Sequence, residues 1–120
     1  GARMITKGKD LRRSADSNLR GGNGTVHMTH FLEKDASEGA GRLFAVATLP
    51  PGASIGKHIH ENEYEVYYML KGTASVMDND VPGILEPGDC MICADGGSHC
   101  IENKTDEDIQ VLFLVMYPHK

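Results

Sequence analysis

Residues 52–72 read GASIGKHIHENEYEVYYMLKG, an apolar-rich stretch bounded by glycines with two histidines and a glutamate inside it. Successive side chains of an extended strand point to opposite faces, so His58 and His60, two apart, present both imidazoles on one face. Glu65 has the wrong parity to join them on an uninterrupted strand. The intervening Glu61-Asn62-Glu63 must therefore turn or bulge to bring Glu65 back to the same side. Beyond that break, Tyr67 and Met69 share the face of Glu65. The glycines at 52 and 72 suit tight turns, where positive φ is tolerated without a Cβ.

The same rhythm extends in both directions. Short apolar runs occupy 25–32, 42–49, 55–60, 64–70, 73–77, 81–85, 90–93, 99–102 and 109–117. Turn chemistry separates them: Pro50-Pro51-Gly52, Asp78-Asn79-Asp80, Glu86-Pro87-Gly88-Asp89 and Asp95-Gly96-Gly97. Many short strands at close spacing predict an all-β sandwich or barrel. The last run, IQVLFLVM at 109–116, is apolar on both faces, as expected of a strand lying between two layers or covered by a second subunit. Residues 1–24 are polar and glycine-ended, and read as an N-terminal arm with one short strand or turn around Leu11, able to reach across a partner subunit. Residues 25–120 read as the barrel domain. Gly1-Ala2-Arg3 ahead of Met4 reads as an expression scar.

With 120 residues the chain is one domain long, enough to bury a barrel core without disulfide staples. Net charge is −5, and Arg12-Arg13 and the scattered lysines make no basic track, which argues against a nucleic-acid partner. No apolar stretch approaches the roughly 20 residues of a membrane span, and the N-terminus lacks the apolar segment of a signal peptide, so the expectation is a soluble cytoplasmic protein. Three cysteines, Cys90, Cys93 and Cys100, are an odd count for a disulfide framework. On a strand, Cys90 and Cys93 face opposite ways, so they read as buried or half-buried free thiols, not as half of a zinc or redox site. His27 and His30 likewise face apart, and with His119 in the tail they read as structural or solvated.

His99 follows the Asp95-Gly96-Gly97 turn at the start of another strand. Any one of these histidines alone reads more readily as a surface or hydrogen-bonded residue than as a ligand. Their wider frame changes that reading. From Gly52 to Gly72 the chain runs G-x5-H-x-H-x4-E-x6-G, and from Gly88 to Asn103 it runs G-D-x4-A-x-G-x2-H-x3-N. These two blocks, about a third of the chain, resemble the paired motifs of the cupin superfamily. Ala94 stands where cupins usually carry a proline that shapes a turn and is not a ligand.

The resemblance implies a small jelly-roll barrel, a double-stranded β-helix, and one divalent transition metal (Mn, Fe, Ni, Co or Zn) held by His58, His60, Glu65 and His99. Three imidazoles and a carboxylate suit such an ion. Four protein ligands on a metal that takes six would leave about two positions for water or a chelating substrate. By parity the surrounding pocket would include Tyr67, Met69, Ile101, Phe113 and Val115, mostly as barrel core. Tyr67 is the candidate catalytic residue, able to donate a hydrogen bond or proton to a bound substrate. Lys57 and Arg42 are candidates for positive charge at the mouth, and Asn103 for bracing the strand that carries His99. The leading functional expectation is a metal-dependent enzyme of decarboxylase, dioxygenase, lyase or isomerase type acting on a small carboxylate or oxo acid. The alternative is a non-catalytic sensor or carrier of a small anion. Homodimerisation is expected from the doubly apolar last strand.

Overall fold

Alternating burial organises ten strands in the computed structural model, which describes residues 4–119. They are β1 (Arg13–Ser17), β2 (Thr25–Leu32), β3 (Gly41–Leu49), β4 (Ser54–Ile59), β5 (Tyr64–Lys71), β6 (Ala74–Asp78), β7 (Val81–Leu85), β8 (Cys90–Cys93), β9 (Ser98–Glu102) and β10 (Ile109–Met116). Nine of them match the expected apolar runs to within one residue at each end. They form a six-stranded sheet in the order β1-β2-β3-β10-β5-β8 and a four-stranded sheet in the order β4-β9-β6-β7. The two sheets close face to face as a jelly roll, with Leu49, Met69, Ile101, Val111 and Phe113 buried between them.

Strand β10 lies in the middle of the larger sheet, between β3 and β5. Ile109, Val111, Phe113 and Val115 point into the barrel and are buried, while Gln110, Leu112, Leu114 and Met116 lie half-buried on the outer face. Burial in the barrel accounts for the apolar inner side; the apolar outer side stays partly exposed.

The N-terminal segment belongs to the same sheet. The expected short strand falls just after Leu11, at Arg13–Ser17, and pairs antiparallel with β2 of its own chain. The tight turn Leu19–Gly21 then lies against β4. Two glycines permit that approach: a Cβ at Gly56 would collide with the carbonyl of Arg20, and one at Gly22 with the carbonyl of Ser54. The expected expression scar, Gly1-Ala2-Arg3, lies outside the described residues. Among the described residues, no helix is long and apolar enough to cross a membrane.

Asn103 braces the end of β9 as its sequence position implies. Its fully buried amide donates to the carbonyls of Leu49 (2.8 Å) and Glu107 (2.7 Å), and its carbonyl oxygen accepts from the backbone N–H and hydroxyl of Thr105. Asn103→Ala strands these groups, each worth about 1 kcal/mol or more when left unpaired in a protein interior, so a stability loss of about 3 kcal/mol is expected. Urea unfolding measures it, and a change below about 1 kcal/mol would contradict the bracing role.

Candidate metal centre

Each of the four candidate ligands is placed by strand register. His58 on β4 stands directly opposite His99 on β9, and their rings lie 4.3 Å apart between centroids. His60 follows one residue after β4 ends, and its carbonyl accepts the N–H of Gly96 at 2.7 Å, which holds it over the Asp95-Gly96-Gly97 turn. The required break in parity is at Asn62, which sits at φ 60° with its N–H bound to the Asp95 carboxylate at 2.7 Å. The chain then re-enters as β5, and Glu65 turns inward opposite Val115 and Cys93. Two sheets thus contribute to one point in space.

At that point the donor atoms of His58, His60, Glu65 and His99 all lie within 4.8 Å of one another. His60 Nε2 and His99 Nε2 each lie 2.9 Å from the same oxygen, Glu65 Oε1, and His58 Nε2 lies 3.9 Å from it. Glu65 is 4% exposed. Burial works to raise its carboxyl, yet hydrogen bonds from His58, His60 and His99 together outweigh burial and leave it well below the usual carboxylate range. A buried carboxylate ringed by three imidazole nitrogens is a nitrogen-and-oxygen donor set that suits a divalent first-row ion. The four side chains could hold such an ion.

Strand parity does not predict the partners that orient the imidazoles. His58 Nδ1 donates to the carbonyl of Gly56 at 2.7 Å, leaving Nε2 to face the centre. His60 Nδ1 donates to Glu63 Oε1 at 2.6 Å. Glu63 in turn accepts two bonds from Arg42, from Nε and Nη2, both at 2.7 Å. The Arg42 guanidinium brings the Glu63 carboxyl down to about 2. Both neighbours of the His60 ring are carboxylates, which only accept. The Glu65 bond, opposed by burial and supported by the Glu63 bond, raises the pKa of the ring above the ordinary histidine value. Two buried polar atoms beside the centre have no hydrogen-bond partner among the described residues: His99 Nδ1 and the hydroxyl of Tyr67. Burial first, and then the nearby Glu65 charge, push the Tyr67 phenol well above its usual pKa, so it holds its proton at neutral pH.

A cavity of about 180 Å³ opens beside His58, His60, Glu65 and Tyr67. Phe113 also lines it, whereas Met69, Ile101 and Val115 are buried in the barrel and do not. Of the two basic residues considered for its mouth, Arg42 lines it; Lys57 instead pairs with Asp80 at 2.7 Å in solvent. Leu19, Arg20 and Asp16 of the N-terminal segment complete the mouth, a contribution no period-2 reading signals. The spacing His60-x-x-Glu63 was the one available hint of the orienting carboxylate.

The remaining candidates stay apart from the centre, save one thiol. Cys93 is buried next to Glu65 in register, and burial pushes its thiol up to about 12. Cys100 is half-buried, but Cys90 is exposed, contrary to the expectation for all three, because β8 is the edge strand and Cys90 lies on its outer face. His30 is buried and bonds the Ser14 hydroxyl at 2.9 Å, while His27 and His119 are exposed.

The class is that of a small jelly-roll barrel with three histidines and one glutamate at a single internal point, where they could hold an ion. Residues 45–116 match the family model described as "Cupin domain", and the chain belongs to that family. It is 41% identical over 118 residues to the "Oxalate-binding protein" of Thermotoga maritima, covering 97% of this chain and 96% of that protein. A crystal structure from Thermotoga maritima, described as that of a predicted oxalate decarboxylase, superposes with a TM-score of 0.90 at 38% identity, covering 96% of this chain and 100% of that one. A sugar phosphate isomerase of the cupin superfamily from Silicibacter pomeroyi shares the fold at a TM-score of 0.73 and 19% identity, covering 92% of this chain and 73% of that one.

Proposed function

We propose that His58, His60, Glu65 and His99 hold one divalent transition metal and that the protein is a metal-dependent enzyme acting on a small carboxylate or oxo acid. The observation that carries this reading is the convergence of four donor atoms within 4.8 Å at the side of a cavity. When bound, the ion supplies Lewis-acid polarisation of a chelating oxygen. Glu63 and Gly56 fix the ring orientations of His60 and His58, so their Nε2 atoms are presented without further rearrangement. The Tyr67 hydroxyl, buried, protonated and unpartnered, is the group placed to donate a hydrogen bond or proton to a ligand in the cavity. Three unpaired thiols suit a reducing compartment, in keeping with a cytoplasmic protein.

A second reading, capture without turnover, draws support from the name of the Thermotoga maritima relative, which specifies binding and not a reaction. One experiment separates the two. Protein loaded with Mn²⁺ is titrated with oxalate by calorimetry and assayed for consumption of oxalate and simple 2-oxo acids. The enzymatic reading expects binding and turnover, with Tyr67→Phe lowering kcat by about 100-fold or more while leaving metal content unchanged. Binding with no turnover of any compound under iron, manganese or nickel would favour capture. A sample that takes up no metal would defeat both.

A further inference from the structure

The cavity beside the four candidate ligands is chemically lopsided. His58, His60 and Glu65 gather their donor atoms at one point of it; Leu19, Met28, Leu43, Ile55 and Phe113, drawn from five separate segments of the chain, supply most of the remaining lining. At about 180 Å³ it exceeds the roughly 150 Å³ of an apolar cavity that accommodates benzene, so a ligand head at the histidine end leaves room for a body of several atoms against that apolar lining. Leu19 and Leu43 pack against the core but stay partly exposed, which leaves apolar surface for a ligand to cover.

Charge narrows the class further. The cation of Arg42 is engaged by Glu63 through two bonds at 2.7 Å, so it brings no net charge to the cavity. Arg20 at the mouth has no ion-pair or hydrogen-bond partner for its side chain among the described residues, but Asp16 lines the same mouth with the opposite sign. Glu65 offsets one of the two charges of a divalent ion. One positive charge is left for the ligand, which balances a monoanion and falls short of a dianion.

Resting on the metal-site reading above, we infer that the preferred ligand is a monoanionic 2-oxo or 2-hydroxy acid with an apolar side chain: its chelating head meets the histidine end and its body covers Leu19, Met28, Leu43, Ile55 and Phe113. Oxalate satisfies the head alone and leaves that lining uncovered. A second carboxylate at the far end of a longer ligand would be desolvated against apolar side chains and would share the one unpartnered cation of the lining, Arg20, with the Asp16 carboxylate.

The test keeps the chelating head constant. Mn²⁺-loaded protein is titrated by calorimetry with pyruvate, 2-oxobutanoate and 2-oxopentanoate, and then with 2-oxohexanoate beside 2-oxoglutarate. Each added methylene is expected to tighten binding about fourfold over these steps, the equivalent of about 0.8 kcal/mol per buried CH₂. 2-Oxohexanoate is expected to bind at least tenfold more tightly than 2-oxoglutarate. Affinity that does not rise with chain length, or 2-oxoglutarate binding as tightly as 2-oxohexanoate, overturns the inference while leaving the metal site intact. If neither oxalate nor any oxo acid binds the loaded protein, the inference and the functional reading fall together. Leu19→Asn supplies a local check, since it should flatten the chain-length dependence without changing Mn²⁺ content.

Discussion

Replacing His60 or His99 with alanine is expected to abolish stoichiometric uptake of Mn²⁺, with an affinity loss well beyond the roughly 10- to 100-fold that follows removal of an outer partner of a ligand. Both rings are almost fully buried and both Nε2 atoms lie 2.9 Å from Glu65 Oε1, so removing either takes away a donor at the centre of the group. Glu63→Gln sets the scale. It keeps the shape of the group that accepts from His60 Nδ1 but removes its charge, and a loss of about 10- to 100-fold is expected. The sign of the pH dependence follows from the same geometry. The Glu65 bond raises the pKa of His60 in the metal-free protein, so a proton must leave Nε2 before it can ligate. Proton binding to His60 therefore stabilises the metal-free fold below the ordinary histidine pKa, and this contribution is lost as pH rises through the raised value. Metal affinity runs the opposite way: it falls as pH drops through that raised value and on below about 6.5. Metal analysis after dialysis at graded pH, with proton release followed in weak buffer, measures both effects. Unchanged metal content in His60→Ala and His99→Ala, or constant occupancy down to pH 4, would remove the basis for three-histidine ligation.

How far the site could be read from the chain depends on whether strand parity governs the residue. His58 and His60 share a face because two residues separate them, and Glu65 could be assigned only by requiring a break. That break exists at Asn62, in the left-handed region. Parity also placed Tyr67, Ile101 and Phe113 inside the barrel. Glu63 escaped because it sits within the break, where alternation carries no information. Arg42 escaped as its partner because nothing local joins two residues so far apart in sequence. The N-terminal contribution was hidden for a different reason. Asn18 and Arg20 both have φ near 55°, so the segment that carries Leu19 to the cavity follows neither a helical nor a strand period. Its seat on β4 depends on two glycines whose role is close approach and not a turn.

Leu114→Glu is expected to convert a dimer into a monomer at micromolar concentration. The register of the larger sheet sets Leu114 between Phe44 and Val66, and Leu112 between Val46 and Tyr68, on the face turned away from the barrel interior. Around them Phe31 is 42% exposed, Leu70 45% and Ile92 64%, so apolar side chains run across β2, β3, β10, β5 and β8 without a charged interruption at the centre. Large contiguous apolar faces are typical of association surfaces. A second copy of the same face is the occupant proposed, because a two-fold pairing lets each apolar row cover the other. In that arrangement one substitution places two carboxylates in the buried contact. The desolvation of an unpaired carboxylate costs several kcal/mol, so the dissociation constant should rise by more than about a thousandfold. Sedimentation equilibrium reads the change. The metal site supplies the internal control: Phe113 and Val115 point into the barrel and Leu114 points out, so Mn²⁺ affinity per chain should not move. A monomeric wild-type protein at micromolar concentration, or a Leu114→Glu variant that remains a dimer, would rule out pairing through this face.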